Sequence, residues 1–126
     1  MGAKAIKLQN KVKAIFKEIY GDYRCINVIS ASENGISDLI ILADGIHYEI
    51  EIKGAGDVLS DLQLIHLIQC NRHSGIGLVI TDDDLELLRN IINAVINNSN
   101  YTQYTKQIKY APNDYETYLN HCRVDI

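Results

Sequence analysis

Residues 38–53 read DLIILADGIHYEIEIK, and this stretch decides the fold. Asp38 to Ala43 is nearly all apolar, as a central strand would be. Ile46 to Lys53 alternates instead. Ile46, Tyr48, Ile50 and Ile52 fall on one face, and His47, Glu49, Glu51 and Lys53 on the other. Asp44-Gly45 separates the two runs, and this dipeptide suits the positive φ angles of a tight hairpin turn. The stretch is therefore expected to be an antiparallel hairpin.

Working outward, Arg24 to Ser30 is short and β-branched and reads as a strand before the hairpin. From Lys4 to Tyr20, Ala5, Leu8, Val12, Ile15 and Ile19 recur at helical spacing, with Gly21 as a stop. After the hairpin, Gly54 to Leu59 reads as a loop. Ser60 caps a helix running to about His73, and Gly75 stands where a C-terminal cap belongs. Ile76 to Ile80 is a fourth strand. Thr81 caps a further helix to about Asn97, with Asp82, Asp83 and Asp84 where the helix dipole favours acids. The helical crossover makes the third and fourth strands parallel. The expected fold is α/β: a mixed four-stranded sheet flanked by helices, in the order αβββαβ. Residues 1–98 would form the main domain. Residues 99–126, with five tyrosines and the only proline, would be a C-terminal helical extension of irregular detail.

With 126 residues, 47% hydrophobic and 22% charged, the chain has the size and composition of one soluble domain. No apolar run approaches the roughly 18 residues that span a bilayer, so no membrane role is expected. The lysine-rich N-terminus lacks a signal-peptide core. Met-Gly there is weak evidence of myristoylation, since position 6 is Ile. Cys25, Cys70 and Cys122 lie far apart without zinc-type spacing, which points to a reduced, cytoplasmic protein. Net charge is −4, yet five of twelve basic residues lie in the first 17 positions, and eleven of sixteen acids lie between Glu33 and Glu86. An acidic cluster of this kind serves a divalent metal or a solvated surface equally well.

The hairpin narrows the choice. Glu51 and Lys53 leave the same strand face, and a tight turn brings Asp38 to their level. Two carboxylates and a backbone carbonyl are hard oxygen ligands for Mg2+ or Mn2+. A lysine beside them can polarise a water. That set is sufficient for attack on a phosphodiester.

On these residues the chain resembles the VRR-NUC branch of the PD-(D/E)XK nuclease superfamily. The matching pieces are Gly35-Ile36-Ser37-Asp38-Leu39, Glu51-Ile52-Lys53-Gly54, Gly56-Asp57-x-Leu59-Ser60-x-x-Gln63, and Gly75 before a strand. They span roughly residues 5 to 80, and the ordered set is far more specific than an isolated E-x-K. The resemblance implies a restriction-endonuclease-like core and DNA hydrolysis. Asp38 and Glu51 would hold Mg2+ or Mn2+ with the Ile52 carbonyl, Lys53 would serve the nucleophilic water, and Gln63 would sit beside them. It further implies a homodimer acting on branched or duplex DNA, with RNA not excluded. Ser37 stands where the family usually has proline. Where relatives often carry an extra acid on the first helix, this chain offers Gln9.

Simpler readings stand beside these. Asp38 can cap a turn, Glu51 and Lys53 can be a surface pair, and Ser60-x-x-Gln63 is a capping box. Glu49 reads as a solvated neighbour, and His66 and His73 as core-edge residues without a zinc partner. Lys4, Lys7 and Lys11 form a solvated flank or a phosphate track. Tyr101, Tyr104, Tyr110, Tyr115 and Tyr118 read as packing or interface residues, with base stacking as the rarer use. The alternative to an enzyme is a catalytically silent binding or inhibitor protein on the same scaffold.

Overall fold

The computed structural model describes residues 2–28, 38–54 and 56–121. Gly35, Ile36, Ser37 and Cys122 lie outside the described residues. The first helix, α1 (Ala3–Tyr20), presents Leu8, Val12, Ile15 and Phe16 as its buried stripe. It ends where Gly21 takes a φ of 74° and its N–H reaches the Lys17 carbonyl at 2.9 Å. A side chain would resist that left-handed geometry.

Strands β1 (Arg24–Asn27), β2 (Leu39–Ala43), β3 (Ile46–Ile52) and β4 (Ile76–Ile80) form one sheet in the order β1-β2-β3-β4. The first two pairings are antiparallel and the third is parallel. The mixed four-stranded α/β architecture expected from the pattern is thus present. Asp44 and Gly45 both have positive φ, 50° and 80°, as the tight hairpin requires. Helix α2 (Asp61–Arg72) carries the chain from β3 to β4.

The alternation in β3 divides the molecule into layers. Tyr48, Ile50 and Ile52 join α1 and α3 (Leu85–Ile96) in the main core, with Leu78 and Ile80 of β4. On the other face, Val79 meets Leu64, Leu67 and Ile68 of α2 and Tyr115 of α5 (Pro112–His121). The short α4 (Thr102–Thr105) precedes α5, so both regular elements described after residue 98 are helical. Among the described residues, no helix is long and apolar enough to cross a membrane.

Two local expectations are corrected. The left-handed residue after α2 is Ser74 (φ 71°), not Gly75. The Gly75 N–H instead closes on the Cys70 carbonyl at 3.0 Å, the six-residue bond of a Schellman motif. Gly75 is small for another reason: a Cβ there would lie 2.5 Å from the Cys70 sulfur. The three aspartates form a 3-10 turn (Asp82–Asp84) ahead of α3 rather than its first helical turn. Asp84 is buried, and its Oδ2 accepts from both the backbone N–H and the hydroxyl of Thr81.

That last bond belongs to a series along the outer side of β4. The Gly77 N–H donates to the Asn71 side chain at 2.9 Å, that of Val79 to the Tyr115 hydroxyl at 3.1 Å, and that of Thr81 to Asp84 at 2.9 Å. Each outward N–H of this strand therefore has a side-chain acceptor in place of a neighbouring strand.

Candidate functional site

The hairpin register sets Leu39 opposite Ile50, and one step further brings Asp38 level with Glu51. The Asp38 Oδ2 accepts the Ile52 N–H at 2.8 Å, so this carboxylate is tied to the backbone between Glu51 and Lys53. In a strand, the N–H and C=O of one residue face the same neighbour. The Ile52 carbonyl accordingly lies on the Asp38 side. The Lys53 ammonium is 3.9 Å from Glu51 Oε1, and its backbone continues the ladder to the Ile80 carbonyl at 3.1 Å.

Gln63 reaches the same place from α2. Its Nε2 donates to Glu51 Oε1 at 2.8 Å, while its Oε1 accepts the Ser60 N–H at 2.9 Å. The Ser60 hydroxyl accepts the Gln63 N–H, completing the capping box. The two readings of this glutamine hold together: the residue that closes the helix cap also grips Glu51. The loop between β3 and α2 is built from the rest of the motif. Asp57 Oδ2 accepts the Gly54 N–H at 2.8 Å, Leu59 is buried, and the Tyr110 hydroxyl donates to the Asp57 carbonyl. The C-terminal extension thereby braces the loop next to the site.

Glu51 carries the electrostatic signature of the site. It is only 2% exposed, and its Oε2 has no hydrogen-bond partner. Burial raises its carboxyl to about 8. The nearby Asp38 charge pushes the same way, and Lys53 pulls it back only in part. A buried carboxylate oxygen without a partner costs about 1–3 kcal/mol or more when charged. With Asp38 and Glu51 neighbours and the Ile52 carbonyl on the Asp38 side, the donor set is all oxygen, a chemistry that fits Mg2+ or Mn2+. Asp38 does hold a backbone N–H, as its simpler reading has it, and Glu51 and Lys53 do pair, but that pair is enclosed rather than on the surface.

Other candidates fall elsewhere. Lys4, Lys7 and Lys11 are exposed on α1, in the layer on the opposite sheet face from α2, and Lys11 sits 3.7 Å from Asp82. Gln9 is buried on the same helix, and Glu18 pairs with Arg89 of α3.

A second cluster was missed in the sequence. Glu49 is 8% exposed, not a solvated neighbour. Its Oε2 meets His47 Nε2 at 2.7 Å, and its Oε1 meets His66 Nε2. Cys70 is buried beside them, and burial, then Glu49, push its thiol up to about 12. His66 is therefore not an isolated core-edge histidine. The sequence shows only the two spacings, an i, i+2 pair on β3 and an i, i+4 pair on α2; that they face each other is set by the packing of α2 on the sheet.

No protein-family model matches the chain, and no curated protein matches it. Among solved structures it is similar to one described as a VRR_NUC domain, at 20% sequence identity with a TM-score of 0.55. That likeness covers 69% of this chain and 95% of the other. The chain therefore has the fold of that VRR_NUC domain.

Proposed function

We propose that the protein is a metal-dependent nuclease of the VRR-NUC type that hydrolyses DNA phosphodiester bonds. The observation that carries this reading is the unpartnered, buried Oε2 of Glu51 beside Asp38 and Lys53. Asp38, Glu51 and the Ile52 carbonyl would hold Mg2+ or Mn2+, which when bound lowers the pKa of a coordinated water and neutralises charge on phosphate. Lys53 orients the attacking water and offsets the charge that builds on the phosphoryl oxygens. Gln63 holds Glu51 Oε1 by its amide, so that Oε2 stays free for the cation. The exposed Lys4, Lys7 and Lys11 supply sequence-independent contacts to the phosphate backbone. The substrate is branched or duplex DNA, met by a homodimer in the cytoplasm and recognised by shape and symmetry.

The test is incubation of the protein with a four-way DNA junction, linear duplex, single strand and RNA, in Mn2+, Mg2+ or chelator. Cleavage of DNA that chelator stops and that Lys53→Ala loses is the expected result. DNA binding with no cutting in either metal would overturn the enzymatic reading in favour of a silent binding protein. Preferential cutting of RNA would overturn the substrate class alone.

A further inference from the structure

The Glu49 cluster lies on the same sheet face as Glu51 but uses different chemistry. One carboxylate gathers two imidazoles and a thiol: His47 on Oε2, His66 on Oε1, and Cys70 close by. Nitrogen and sulfur donors select borderline and soft divalent ions over magnesium. One ligand atom from each of His47, Glu49 and Cys70 lies within 4.8 Å of the others. A tetrahedral zinc shell with bonds of about 2.0–2.3 Å spaces its donors by roughly 3.5 Å, so rotamer-scale contraction of about 1 Å closes these three, and His66, held against Glu49 Oε1, turns in as the fourth donor. Gly75 makes room for it, since a Cβ there would strike the Cys70 sulfur at 2.5 Å and lie 3.4 Å from the His47 ring. The cluster opens onto a surface cavity also lined by Gln69 and His73, which gives an ion a way in.

We propose that His47, Glu49, His66 and Cys70 form a second, zinc-type metal site that fastens α2 to β3. The inference does not depend on the nuclease reading. Glu49 and Glu51 are two residues apart on one strand, about 7 Å, whereas two metals acting on one phosphate sit about 3.5–4 Å apart. The ion is thus separate from the one assigned to Asp38 and Glu51, and its work is structural. It joins His47 and Glu49 of β3 to His66 and Cys70 of α2, the helix that also carries Gln63. On binding, the cation takes the place of the thiol proton, which leaves to solvent.

The experiment uses the full chain without an affinity tag, stripped with chelator and titrated with Co2+ and then Zn2+. One equivalent of Co2+ should give a sulfur-to-cobalt charge-transfer band that Zn2+ displaces, and Zn2+ should raise Tm. Cys70→Ser should abolish the band, and His66→Ala should weaken Zn2+ binding more than about tenfold. The double variant Asp38→Asn, Glu51→Gln should keep both. Circular dichroism establishes that each variant is folded. A folded wild type without the band, a band that persists in Cys70→Ser, or Zn2+ affinity unchanged in His66→Ala would each overturn the site.

Discussion

Gln63 and Glu51, twelve residues apart, are joined by one hydrogen bond of 2.8 Å that links the N-terminal turn of α2 to the carboxylate at the centre of the site. The same glutamine closes the helix cap, so its two duties can be separated by substitution. Gln63→Ala removes both, and we expect a loss of about 1 kcal/mol in denaturant unfolding together with weaker DNA cleavage. Gln63→Glu keeps an acceptor suited to the capping box but replaces the amide donor with a carboxylate facing Glu51. With Mn2+ present it should unfold like wild type yet cleave more slowly. Equal cleavage by the two proteins would remove the role given to the amide.

Glu51 predicts a pH dependence of stability with a definite sign. Its carboxyl is raised from 4.5 to about 8 in the folded chain, chiefly by burial and next by Asp38. Below about pH 4.5 both folded and unfolded chains hold the proton. As pH rises from there to about 8 the unfolded chain releases it first, so stability falls through that window and levels off above it. The drop should be on the order of a few kcal/mol in chelator. Glu51→Gln should flatten this slope and raise Tm at pH 8, and Mn2+ should do the same for the wild type. Thermal unfolding at a series of pH values, with and without metal, measures all three curves.

Lys53 is largely enclosed, with its side chain 17% exposed, and stands 3.9 Å from Glu51. Lys53→Ala should lower single-turnover cleavage by roughly 10²–10⁴-fold, the range for loss of a positioned proton-transfer or charge-stabilising group. Lys53→Arg should recover little, because the planar guanidinium does not reproduce a compact ammonium. Far-UV circular dichroism should show both variants folded.

Tyr115 is 2% exposed, and its hydroxyl receives the Val79 N–H on the strand that pairs with Glu51. Tyr115→Phe leaves that buried N–H without a partner and should cost about 1–3 kcal/mol in chemical denaturation. Cleavage at a temperature well below the transition should change little.

Lys4, Lys7 and Lys11 should act on affinity alone. Replacing all three with glutamine should reduce the slope of log affinity against log salt by about 2–3 for duplex DNA. The cleavage rate at saturating protein should stay the same. An unchanged salt slope would mean that this flank is merely solvated.

Local chemistry made much of this legible in the sequence. The alternation of β3, the Asp44-Gly45 turn and the Ser60 cap each depend on neighbours within a few positions, and each is present in the fold. So is the approach of Asp38 to Glu51, because a two-residue turn sets the register of its strands. Contacts made across layers were hidden. Glu49 looked solvated because nothing in IHYEIEIK shows that α2 will lay His66 and Cys70 over it. Gly75 looked like a helix cap because its close neighbour, the Cys70 sulfur, comes from the preceding turn of the same motif. Asp84 looked like one of three dipole partners. It is buried instead, and its Oδ1 accepts the N–H of Lys109, twenty-five residues on.

The side chains of Asn71, Tyr115 and Asp84 that engage the outer N–H groups of β4 have one more effect. With those donors taken, another extended segment finds no ready hydrogen-bond ladder to join there. The sheet is consequently closed to growth beside β4, the edge strand whose outer donors are already taken.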